Sequence, residues 1–228
     1  MFNPSFVGIF VNPFYFARKG LYTAMSQFVP KLQGKILDVG CGQKPYQHLC
    51  NTVVEYIGLE IDSPENRINK HADYFYDGKN FPFENREFDS VMTNQVLEHV
   101  FNPDEFLAEI YRILKPDGML LLTAPFVWDE HEQPIDYARY SSFGLKHLLQ
   151  KQGFEIVSQI KTSTDVSVIF QLINAYLFKI LQTNNPYFNL LLTILLMAPF
   201  NMMGVILAKI LPNNQDLYLD NIVLARKK

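Results

Sequence analysis

Two glycines, one residue apart, follow a short apolar run in Asp38-Val39-Gly40-Cys41-Gly42. Such a pair lets the backbone turn sharply after a buried strand and lets a ligand come close to it. The third glycine of a dinucleotide-binding turn is missing, because Gln43, Lys44 and Pro45 follow. A pyrophosphate is therefore disfavoured against an uncharged or cationic part of a ligand. Glu60 closes a second apolar run, where a carboxylate can accept both hydroxyls of a ribose; taken alone it reads rather as a surface acid in a loop. Asp77-Gly78 is a third acid-bearing loop. Asp38, Glu60 and Asp77 all favour positive charge nearby. Together these residues describe a site for a nucleoside-containing ligand without phosphates.

A second group lies in Pro125 to Ser141, which holds the only Trp of the chain, Trp128, with His131, several acids, and Arg139 beside Tyr140. His131 has the chemistry of a general base near neutral pH, and equally that of a loop histidine oriented by its acidic neighbours. Arg139 either binds an anionic acceptor or pairs with Asp136. Trp128, Arg139 and Tyr140 are the candidate substrate-binding residues.

The elements that must position these groups alternate. Lys35 to Val39, Glu55 to Leu59, Ala72 to Tyr76, Phe88 to Thr93, Met119 to Ala124, Phe154 to Lys161 and Asp220 to Ala225 read as strands. Asn12, as N-cap, and Pro13 open a helix over Phe14 to Val29; further helices cover Pro103 to Leu114 and Ser142 to Gln152. Turns are expected at Ser63-Pro64 and Asp117-Gly118. This order predicts an α/β fold with a doubly wound, mostly parallel sheet, whose ligands sit beyond the carboxyl ends of the strands.

The composition agrees. Of 228 residues, 48% are hydrophobic and 19% charged, enough for a core and too few charges for disorder. A net charge of -3 argues against a nucleic-acid partner. Two cysteines make no disulfide framework, and Arg18 is the first positive charge, so no signal-peptide n-region is expected and a cytoplasmic setting is the simplest.

The motifs Ile36-Leu-Asp-Val-Gly-Cys-Gly42, Phe81-Pro-Phe83, Phe88-Asp-Ser90, Val96-Leu-Glu-His-Val100 and Ile113-Leu-Lys-Pro-Asp-Gly118 occur in one order over roughly residues 35 to 162. They resemble class I S-adenosylmethionine-dependent methyltransferases, most closely the type 11 small-molecule enzymes. The resemblance implies a Rossmann-like seven-stranded sheet whose last strand is antiparallel, and S-adenosyl-L-methionine as cofactor. It implies that Gly40, Cys41 and Gly42 face the methionine part and that Asp38 helps orient its amino group. Glu60 would hold the ribose, Ile61 would pack on adenine, and Asp77 and Gly78 would meet the adenine edge. Asn94, Gln95 and Val96 would line the methyl-donor pocket. Lys44 departs from the pattern, which often has a small residue there. Glu98 and His99 usually begin a helix and serve structure in such enzymes, and no metal-ligand set is expected.

The ends are apolar. Phe2, Phe6, Phe10 and Phe14 recur every four residues, and Lys179 and Lys209 are the only charges between Asp165 and Asp216. The expected organisation is an apolar N-terminal helical cap over 1–34, a cofactor-binding core over 35–165, an apolar helical hairpin inserted over 166–216, and a final strand within 217–228. Pro199, Asn201 and Gly204 should interrupt the second apolar run. A single membrane span would separate the last strand from its sheet. What remains for 166–211 is peripheral contact at the inner face of a membrane, a homodimer, or a lid over an apolar acceptor. The expected acceptor is a small molecule, lipid- or glycan-linked, methylated on oxygen or carbon. The alternative is a non-catalytic cofactor-binding protein of the same fold.

Overall fold

The computed structural model describes residues 5–69 and 71–228; Phe2, the first of the four spaced phenylalanines, lies outside them. Seven strands, β1 (Gly34–Val39), β2 (Val53–Ile61), β3 (Tyr74–Tyr76), β4 (Phe88–Asn94), β5 (Leu114–Pro125), β6 (Phe154–Lys161) and β7 (Asp220–Lys227), form one sheet in the order β3-β2-β1-β4-β5-β7-β6. The β2–β1, β1–β4, β2–β3 and β4–β5 pairings are parallel. The peptide N–H of Thr162, just past β6, donates to the carbonyl of Asp220, and that of Leu219 donates back to Thr162. The end of β6 thus meets the start of β7, which runs back along it.

The chain forms two compact units. The larger comprises residues 25–126, 130–160 and 221–228. Its core joins Leu37, Val39, Leu59, Val91, Leu120 and Leu122 of the strands to helix residues. These come from α4 (Pro103–Ile113), whose Phe106, Leu107, Ile110 and Ile113 share a face, and α5 (Ser142–Lys151), capped by Ser141 Oγ accepting from the Gly144 N–H. Strands buried on both faces explain the near-continuous apolar runs. The turn expected at Asp117-Gly118 is a bulge inside β5: Phe88 faces Leu114 but Ser90 faces Met119, so four residues of β5 stand opposite Asp89 alone. Helix α3 (Pro64–Asn69) follows Ser63 where a simple turn is expected; the Ser63 hydroxyl accepts from the Asn66 N–H at 3.2 Å, so the serine starts a helix.

The smaller unit comprises the described residues up to Ala24 with 127–129 and 161–220. The insertion and the N-terminal segment therefore fold together, and the boundaries drawn at residues 34 and 165 are displaced. Its helices are α1 (Gly8–Val11), the start of α2 (Tyr15–Phe28), α6 (Ser167–Leu181), α7 (Pro186–Leu192) and α8 (Ala198–Leu207). Pro199 does not break the second apolar run. A π-helical turn over Thr193–Met197 joins α7 to α8, leaving one 22-residue helix, Pro186–Leu207. A wide turn just before a proline spares the backbone the bond that the ring forbids.

The other two expected interruptions have packing roles. Buried Asn201 donates to the carbonyls of Ile9 (2.9 Å) and Asn12 (3.0 Å), and accepts from Asn174 at 2.9 Å. A side chain at Gly204 would start 2.6 Å from the Phe16 ring. Gln171 accepts from the N–H groups of Phe16 and Ala17, so it satisfies donors that the first turn of α2 leaves open. Much of the rest stays uncovered: Ile169, Tyr176, Tyr187, Leu191, Leu195 and Ile206 are all exposed.

Candidate functional site

The glycine turn stands at the carboxyl end of β1. Gly40 and Gly42 both have positive φ, +70° and +48°, a region that costs other residues roughly 1–2 kcal/mol. A side chain at Gly40 would begin 2.3 Å from Val96 Cγ2, so a strict glycine brings the β1 and β4 ends together. At Gly42 the same direction is open for 4 Å. There a ligand can reach the backbone.

Glu60 faces that opening. One carboxylate oxygen accepts from the Gly42 N–H at 3.0 Å and the other from the Ile61 N–H at 3.1 Å. Gly42, Glu60, Asn66, His71 and Ala72 line a recess of about 70 Å³. Next to Glu60 in the chain, Ile61 has its Cδ1 3.5 Å from where a Gly78 side chain would begin. Three sequence-predicted groups, the glycine turn, Glu60–Ile61 and the Asp77 loop, are thus joined along one edge. Asp77 itself accepts from the N–H groups of Lys79 and Asn80, both at 2.9 Å, so one oxygen holds its own turn.

Asp38 is buried, and Tyr56 Oη donates to its carboxylate. Burial pushes the Asp38 carboxyl up to about 7; the Tyr56 hydrogen bond opposes that rise. Sequence alone does not single out Tyr56, because the partner of a strand residue depends on register. Here Asp38 pairs with Gly58, two residues from Tyr56, so both face the same way.

Lys44, the departure from the family pattern, is strapped down. Its Nζ lies 2.6 Å from Asp73 Oδ2, which also accepts from the Gly58 N–H at 2.7 Å. A side chain at Gly58 would meet Lys44 Cε at 2.5 Å and Cys41 Sγ at 2.8 Å. The long side chain occupies space that Gly58 vacates. Cys41 is buried, and burial raises its thiol to about 12, which keeps it protonated and unreactive.

At the β4 end, the Thr123 hydroxyl donates to Asn94 Oδ1 (2.9 Å) and accepts from the N–H and side-chain amide of Gln95. Thr123 is a further site residue that the sequence concealed as one more buried strand position.

The loop after β5 divides. In the larger unit, Arg139 pairs with Asp136 through both terminal nitrogens, which holds the Asp136 carboxyl far below the usual carboxylate range. His131 Nδ1 lies 3.1 Å from Asp136 Oδ2. Tyr140 is half-buried on the core and its carbonyl accepts from Asn221. In the smaller unit, Trp128 packs on Phe14 with ring centroids 6.0 Å apart.

A family profile described as "Methyltransferase domain" matches residues 15–159. Over 137 residues the chain is 26% identical to a probable S-adenosylmethionine-dependent methyltransferase of Mycolicibacterium smegmatis, covering 53% of this chain and 52% of that protein. The chain spans about half the length of the curated relatives it matches. Its fold is like that of a putative methyltransferase from Bacillus halodurans (TM-score 0.56, 17% identity, 91% of this chain and 99% of the other). It is also like that of phosphoethanolamine N-methyltransferase 2 of Haemonchus contortus, solved with S-adenosyl-L-methionine (TM-score 0.56, 19% identity, 97% and 56%).

Proposed function

The chain belongs to the class I S-adenosylmethionine-dependent methyltransferases, and we propose that its acceptor is a small amphiphilic molecule, methylated at the cytoplasmic face of a membrane. S-adenosyl-L-methionine is the cofactor. The open backbone at Gly42 beside the Glu60 carboxylate supports this fit, since a neutral, hydroxyl-bearing ligand suits both groups. In this reading Gly40, Cys41 and Gly42 take the methionine part through their backbone. Glu60 exchanges its bond to Gly42 for the ribose hydroxyls. Ile61, Asp77 and Gly78 form the adenine edge, Asn94, Gln95 and Val96 line the donor pocket, and Asp38 balances the amino group. When bound, the cofactor supplies a methyl group made electrophilic by its sulfonium. The protein then has to hold the acceptor in line and exclude water, and a reactive acceptor requires no general base.

The uncovered helix Pro186–Leu207 supports the membrane and the amphiphile together. It carries no charge, and Lys209 follows its C-terminal end as a snorkelling cation would, while Lys179 of α6 is held by Asp129 at 2.8 Å. Helix α6, of 15 residues, reaches roughly 22 Å at ~1.5 Å per residue, short of a ~30 Å hydrocarbon core. A hairpin of unequal arms fits the interface better than a crossing. Incubation with methyl-labelled cofactor and either extracted lipids or soluble metabolites, read by mass spectrometry, tests this. Label in the lipid fraction is expected; label confined to protein or RNA would overturn it.

The position of Asp38 implies a pH dependence. A carboxyl near 7 is mostly neutral at pH 6 and mostly ionised at pH 8, and only the ionised form attracts an ammonium. Cofactor affinity should rise by up to about tenfold per pH unit below pH 7 and level off above it. Tyr56→Phe removes a bond that favours the charge, so the rise should move to higher pH. Calorimetry from pH 5.5 to 8.5 reads both; a flat profile would remove Asp38 from cofactor binding.

A further inference from the structure

We propose that Glu98, His99 and His131 form a binding site for a divalent transition-metal ion. Glu98 and His99 lie in a short 3-10 turn, Leu97–His99, directly after Val96, while His131 comes from the loop after β5. Sequence spacing does not reveal the group; the fold assembles it. One ligand atom from each residue lies within 4.8 Å of the others. The two imidazoles meet edge to face with centroids 4.9 Å apart.

The orientation of the rings is the second observation. His99 Nδ1 lies 2.8 Å from the Ile135 carbonyl oxygen. A carbonyl can only accept, so Nδ1 carries the proton and the lone pair of the neutral ring is on Nε2. That nitrogen points between two carboxylates, Glu98 Oε1 at 3.9 Å and Glu132 Oε2 at 3.7 Å. Both distances are too long for hydrogen bonds. His131 Nδ1 lies 3.1 Å from Asp136 Oδ2 and 3.5 Å from Arg139 Nη2, and Arg139 in turn holds Asp136. A backbone carbonyl on the far ring nitrogen is a support that ligating histidines use to fix their tautomer, and His99 has it.

A metal with bonds of ~2.0–2.1 Å holds its ligand atoms roughly 3.0–3.4 Å apart. From 4.8 Å the group must therefore contract by about 1.8 Å at most, within reach of side-chain rotation in the His131 loop. Two imidazoles with one or two carboxylates favour zinc, manganese, iron or cobalt over magnesium or calcium. Glu98 is fully buried while both histidines are partly exposed, so the site has a closed floor and an open side. An acceptor oxygen could complete the coordination there; this last step rests on the methyltransferase reading, and the metal site does not. A ligating His131 cannot also take a proton, so this role and that of general base exclude each other.

The test uses the full chain, freed of metal by chelator and titrated with Zn(II), Co(II) and Mn(II) by calorimetry, with S-adenosylmethionine binding measured in parallel. One ion per chain is expected, with His99→Ala and His131→Ala each weakening binding at least tenfold while cofactor binding persists. Should either variant fail to fold, electron-nuclear double resonance of the Mn(II)-loaded wild type must show coupling to imidazole nitrogen. No ion bound, unchanged affinity in both variants, or no nitrogen coupling would overturn the site. Loss of cofactor binding by the wild type would instead strike the methyltransferase reading and leave the metal result standing.

Discussion

Glu60→Ala should weaken S-adenosylmethionine binding by roughly 10- to 100-fold without lowering thermal stability much. The carboxylate is partly exposed and its two bonds go to neighbouring backbone, Gly42 and Ile61, so little of the fold depends on it. Toward a ribose it would accept from two hydroxyls, and bonds to a charged group are worth about 1.5–3 kcal/mol each. Part of that is recovered, because the freed Gly42 N–H and the ribose can bond water. A net loss of about 1.4–2.8 kcal/mol gives the stated range. Glu60→Gln keeps the size and one acceptor, so its loss should be smaller, near tenfold. Calorimetry on both variants, with melting curves as control, decides. Equal affinity in wild type and Glu60→Ala would mean that the acid serves the empty turn and not the ligand.

The second large effect belongs to the apolar helix. Leu191→Glu combined with Leu195→Glu should abolish binding to anionic lipid vesicles and leave cofactor affinity unchanged. Both leucines are exposed, at 48% and 60%, and lie one turn apart on one face. Burying a leucine is worth about 1.5–3 kcal/mol, so losing two removes at least a hundredfold from partitioning before the cost of placing the charges. Flotation of wild type and variant with liposomes reads this directly. If the wild type stays at the bottom of the gradient and scatters as a dimer, the face is covered by a second copy. A monodisperse monomer that ignores vesicles would leave the lid over the acceptor.

The parts of the site that were legible in sequence are those set by backbone geometry. Gly40 and Gly42 announce positive φ because few other residues tolerate it, and the acids at 60 and 77 follow apolar runs whose period fixes where strands stop. The strand order follows from family resemblance, not from any residue. Register and loop closure were hidden. Tyr56 reaches Asp38, and Thr123 ties Asn94 to Gln95, only through strands that meet far apart in the chain. His99 and His131, 32 residues apart, share a cluster because the β4 and β5 ends are neighbours. Pro199, Asn201 and Gly204 each argue against a continuous helix when taken alone. A π turn, two buried carbonyls and the Phe16 ring, all supplied by tertiary packing, reverse that argument.

Calorimetric titration of the wild-type protein with S-adenosylmethionine, S-adenosylhomocysteine and NAD tests the central claim most directly. One molecule of either sulfur-containing ligand should bind per chain, with S-adenosylhomocysteine competing for the same site and NAD producing no heat. Tight binding of NAD with none of the other two would contradict the account at its base.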